Sequence, residues 1–106
     1  MCRTYAPETM ERARRTLRRA GEWREEHAEL YETEFAARAL AAAANGGKFA
    51  VQDALERVRD AHGVKVNNDF GAVFARWLAV EHPETARAVE LRRSVFDLLM
   101  GGRDER

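Results

Sequence analysis

Arg12, Arg14, Arg15, Arg18 and Arg19 crowd one short stretch of the chain, and their guanidinium groups are suited to gripping carboxylates or phosphates. Each presents a planar fork of donors that can meet an oxyanion with two parallel hydrogen bonds. A second set of candidates lies in VKVNNDFGAVFARWLAVEHPE, from Val64 to Glu84. If the helix that follows Asn67 and Asn68 entered a major groove, those two amides could read adenine and Arg76 could take a guanine or a phosphate. These eight side chains are the candidate partner-binding or DNA-binding set.

Catalysis has much less to draw on. Ser94 is the only serine, no nucleophile-elbow glycine pattern occurs, and the carboxylates fall on polar helical faces among arginines. Asn45-Gly46-Gly47-Lys48 lacks both a preceding strand and the spacing of a phosphate-binding loop. His27, His62 and His82 have no second ligand one helical turn away, and Cys2 is the only cysteine. The expectation is therefore no enzyme, no metal, no cofactor and no small-molecule substrate.

The formal net charge is zero, with 18 basic and 18 acidic side chains, so the basic balance typical of nucleic-acid binders is missing. The charges are nonetheless segregated. Residues 1–20 carry six basic and two acidic side chains, and residues 21–34 carry one basic and six acidic. That arrangement predicts pairing between the two segments, within a hairpin or between two copies of the chain. Arg18 and Glu22, four residues apart, would pair along one helix if it continues through Gly21. No apolar stretch is long enough to span a bilayer, and a lone cysteine suits a reducing compartment, so the expected location is the cytoplasm.

The elements that must hold these side chains are helices. Pro7 suits a first turn, and Ala6, Met10, Ala13, Leu17 and Ala20 form an inward stripe opposite the five arginines. Arg24 falls in the middle of that stripe, which predicts a helix end or kink at Gly21. Residues 7–44 then read as one kinked helix or as two. The second run, Glu22 to Ala44, turns Trp23, Leu30, Tyr31 and Phe35 to one side, with His27 and Glu34 intruding, and stops at Asn45-Gly46-Gly47.

A third helix, from about Phe49 to His62, turns Val51, Ala54, Leu55 and Val58 inward and ends at Gly63. Val64-Lys65-Val66 alternates, and reads as one short strand or an extended connection. Asn67, Asn68 and Asp69 are good caps for a fourth helix, whose Phe70, Val73, Phe74, Trp77 and Leu78 share a face. Its reverse side carries Gly71, Ala72, Ala75 and Ala79, which suits a helix covered on two sides better than one lying in a DNA groove. Pro83 ends this helix and opens a fifth, Pro83 to Met100, with Ala88, Leu91, Val95, Leu98 and Leu99 inward.

The fold class expected is all-α, a compact bundle of four or five helices in a single domain. Its parts are an N-terminal helical region, 1–46, a helix-turn-helix-like core, 47–100, and a loose tail, 101–106. Phe70, Phe74, Trp77 and Leu78 should centre the core, joined by Leu55, Val58, Leu91, Val95 and Leu99.

From Phe49 to Ser94, the runs KFAVQDALERVR, VKVNNDFGAVFAR, EHPE and LRRS resemble small uncharacterised proteins of phages and integrated mobile elements. The resemblance covers under half of the chain and implies no defined activity. A generic winged-helix likeness over the same segment would imply DNA binding, with Asn67, Asn68 and Arg76 at the matching positions. The functional expectation is a non-catalytic protein-interaction module, an inhibitor or adaptor, that binds a partner or a second copy of itself. The alternative is a small helix-turn-helix DNA-binding regulator.

Overall fold

The computed structural model describes residues 5–89, 91 and 94–100, apart from the side chain of Leu98. The expectations for Cys2, for the Leu98 side chain and for the tail at 101–106 lie outside the described residues.

The fold is all-α. Helix α1 (Pro7–Glu26) leads through a break at His27 into a short α2 (Ala28–Leu30), a π-helical segment (Tyr31–Ala36) and α3 (Ala37–Ala44). Helices α4 (Val51–His62) and α5 (Phe70–Glu81) follow, then a 3₁₀ turn (Pro83–Thr85) and α6 (Phe96–Met100). Among the described residues there is no strand. A single parallel bridge joins Phe49 to Val89, and Val64–Val66 is the extended connection rather than a strand.

The stops written in the sequence act where expected. Asn45 follows α3, and Gly46 takes a φ of 71° that only glycine adopts without strain. Gly63, at φ 67°, closes α4: its N–H meets the Arg59 carbonyl while the Val64 N–H reaches the Val58 carbonyl, so a left-handed glycine ends the helix. His82, ahead of Pro83, ends α5.

Three expectations are corrected. Gly21 does not end α1, which runs on to Glu26. Arg24 remains on the inward side because its charge is answered there: it binds Glu81 of α5 through two 2.7 Å hydrogen bonds, and its guanidinium lies over the rings of Tyr31 and Trp77. Second, Asn67, Asn68 and Asp69 make no side-chain cap on α5. The Asn67 side chain instead accepts the Asp69 N–H at 2.8 Å, a local turn, while the Asn67 and Asn68 carbonyls accept from Phe70 and Gly71.

Third, no continuous helix runs from Pro83 to Met100. The Arg87 and Ala88 carbonyls turn to the Lys48 ammonium and the Phe49 N–H, at 3.0 and 2.9 Å, so the chain here is held by the α3–α4 connection. Helix α6 then begins afresh. Ser94 N–H donates to the Asp97 carboxylate and Phe96 N–H to the Ser94 hydroxyl, the reciprocal arrangement of a capping box.

One core unites both halves of the chain. Phe74 sits at its centre, with the rings of Trp23, Tyr31, Phe35, Phe70 and Trp77 packed at 4.9 to 5.9 Å. Leu55, Val58, Val73 and Leu78 are fully buried beside it. Trp77, Leu91, Val95 and Leu99 are only partly buried and lie at the edge. The Trp23 indole N–H, 2.8 Å from the Lys65 carbonyl, ties α1 to the α4–α5 connection.

Candidate interaction surface

Helix α1 has one side anchored in the core by Ala13, Ala20 and Trp23. Because 3.6 residues make a turn, this anchoring directs Arg12, Arg14, Arg15, Arg18 and Arg19 to solvent, and all five are exposed. Arg15 lies 3.8 Å from Glu11, one turn earlier. Among the described residues, Arg12, Arg14, Arg18 and Arg19 make no ion pair. Among the described residues, the pairing expected between Arg18 and Glu22, and between the basic and acidic segments within one chain, is not formed.

Glu22, Glu25, Glu26, Glu29 and Glu32 are likewise exposed. The acidic members of this surface were identified in sequence only as partners for the neighbouring arginines. With α1 continuing through Gly21, Glu22, Glu25 and Glu26 share the outward side of the same helix. The missing signal was tertiary: nothing local shows that Glu81, 57 residues away, would neutralise Arg24 and let the helix proceed.

The other candidates do not join this surface. Asn67 and Asn68 are exposed in the α4–α5 connection, with no hydrogen bond to any arginine of α1. Arg76 is 3 % exposed. Its Nε donates to Asp97 at 2.9 Å and its Nη1 to the Ala72 carbonyl at 3.0 Å, so it ties α5 to α6. Helix α5 as a whole faces inward: Phe70, Gly71, Val73, Phe74, Ala75, Arg76 and Leu78 are all buried. Its small-residue reverse side floors an open groove of about 1060 Å³, walled by Phe49, Val51 and Val89.

Glu34, the acidic intruder in the second helical run, is 7 % exposed and holds a cluster together. Arg38 and Arg57 each place Nε about 3 Å from one carboxylate oxygen, and His62 Nε2 lies 3.2 Å from the other. Burial opposes its charge, but the His62 hydrogen bond and the two arginines outweigh that, and the Glu34 pKa falls below the ordinary carboxylate value. The arrangement clamps the π-helical segment and α3 to α4. No group of three or more His, Cys, Asp or Glu side chains among the described residues could hold a metal ion. No helix among them is long and apolar enough to cross a membrane.

Comparison with protein-family models, curated proteins and solved structures finds no match to this chain. The surface must be read on its own chemistry.

Proposed function

We propose that this protein is a non-catalytic, cytoplasmic interaction module that binds another protein through the outward face of α1. The observation that carries this reading is a row of five exposed arginines, four without an ion pair among the described residues, on a helix held rigidly from behind. Such a row suits an acidic protein surface, since guanidinium forks match carboxylates. An origin in a phage or mobile element would suit an inhibitor or adaptor of this kind.

The alternative, DNA binding through α5, is disfavoured because that helix offers few exposed side chains and Arg76 is engaged with Asp97. The zero net charge argues the same way. The α1 arginines alone could still grip phosphates, so the test compares both targets. Fluorescence anisotropy is measured with a labelled Glu-rich helical peptide and with a random-sequence duplex, at about 50 and 200 mM salt. The expected result is peptide binding that Arg14→Glu/Arg15→Glu/Arg18→Glu abolishes without altering the thermal melt, and no duplex binding. Duplex affinity that falls steeply with salt, with none for the peptide, would establish the DNA reading instead.

A further inference from the structure

We infer that the partner matched to this face is a second copy of the same chain, with α1 packed antiparallel against α1 about a two-fold axis. The inference rests on the protein-binding reading above and names its partner. Arg14, Arg15 and Arg18 lie on the N-terminal side of residue 20; Glu26, Glu25 and Glu22 lie at the same distances on its C-terminal side. At about 100° per residue, all six project within one sector of about 120°. All six are exposed, and none of the three glutamates makes an ion pair among the described residues.

A two-fold axis at the level of residue 20 therefore sets Arg14 against Glu26, Arg15 against Glu25 and Arg18 against Glu22. The symmetry repeats each pair, so one patch is complementary to itself, as an isologous interface requires. A parallel arrangement would place like charges together. The break at His27 ends α1 just beyond Glu26, which limits the contact to these pairs. Exposed ion pairs are individually weak, so the dimer is a weak one that forms only at high protein concentration. It is also strongly weakened by salt.

The test is sedimentation equilibrium of the full chain up to about 1 mM at low salt, with two charge variants. One is Arg14→Glu/Arg15→Glu/Arg18→Glu, whose face becomes acidic; the other is Glu22→Arg/Glu25→Arg/Glu26→Arg, whose face becomes basic. The wild-type chain should dimerise at low salt and dissociate at least tenfold more readily at high salt. Each variant alone should be monomeric, and an equimolar mixture of the two should recover association. Should either triple variant unfold, Arg18→Glu mixed with Glu22→Arg provides the same comparison on the pair nearest the axis.

A wild-type chain that stays monomeric, or a mixture that stays monomeric when both variants are folded, would overturn the inference. In that event, continued binding of the Glu-rich peptide would leave the protein-binding reading standing with another partner. Loss of both would remove the two together.

Discussion

Tyr31 is fully buried, and its hydroxyl oxygen has no hydrogen-bond partner among the described residues. Burial pushes the phenol well above its ordinary pKa, even though the Arg24 guanidinium lies over its ring and opposes the rise. An unanswered buried hydroxyl costs about 1–3 kcal/mol. Tyr31→Phe keeps the ring and removes that cost, so it should raise the unfolding free energy by roughly 1 kcal/mol in a urea titration; a loss of stability would mean that the hydroxyl is bonded. Arg76 is the opposite case. Arg76→Leu leaves the Asp97 carboxylate buried without its guanidinium, and should cost about 3–5 kcal/mol. A substitution there that left the melt unchanged would restore Arg76 as a surface candidate.

Helix α1 shows how an element can outlast its own pattern. Gly21 sits inside it, with open space where a Cβ would stand. Glycine in a helix interior is less favourable than alanine by about 0.5–1 kcal/mol. Gly21→Ala should therefore stabilise the protein by about that amount, read as a higher melting temperature, whereas a true helix end at this position would give a loss. The next element behaves differently. In the π-helical segment, Tyr31, Glu34, Phe35 and Ala36 are all buried, more than one face of a regular helix presents in six residues. Thr33 donates its hydroxyl to the Glu29 carbonyl at 3.0 Å, competing with the local backbone bonds. Helix α6 was in principle readable: Ser94-Val95-Phe96-Asp97 is a capping-box spacing ahead of an apolar run. Reading Pro83 to Met100 as one helix passed over it.

Across the whole molecule, the fused aromatic cluster and the ion pairs set the stability. Because Phe74 is fully buried and Trp77 only partly so, Phe74→Ala should cost about 3–5 kcal/mol. Trp77→Ala should cost measurably less, although sequence reasoning placed Trp77 at the centre. The pH dependence follows from Glu34 and Glu81. Both are held below the ordinary carboxylate value of 4.5: Glu81 first by the Arg24 hydrogen bonds, Glu34 by its three partners against the effect of burial. A carboxylate depressed in the folded state adds stability that is fully present above its unfolded pKa and is lost as pH falls through the folded one. The melting temperature should hold steady from pH 7 to about 5 and drop at lower pH. Glu34→Gln should lower the plateau and shrink the acid drop; an unchanged drop would show that Glu34 contributes none of it.

The sequence by itself determined the class of the fold, the places where α3, α4 and α5 stop, and the exposure of the α1 arginines. These depend on local chain chemistry: glycine's access to positive φ at Gly46 and Gly63, the restriction that Pro83 places on His82, and the turn-by-turn spacing of apolar side chains. Only the tertiary structure decided that Arg24, Glu34 and Arg76 point inward, that α1 crosses Gly21, and that the chain after Pro83 breaks before α6. Each of those outcomes depends on a partner on another element: Glu81 for Arg24, Arg57 and His62 for Glu34, Asp97 for Arg76, and Phe49 for the backbone at Ala88. A charged side chain carries the same sequence signal whether it is solvated or paired, and only the fold brings its counter-charge into reach.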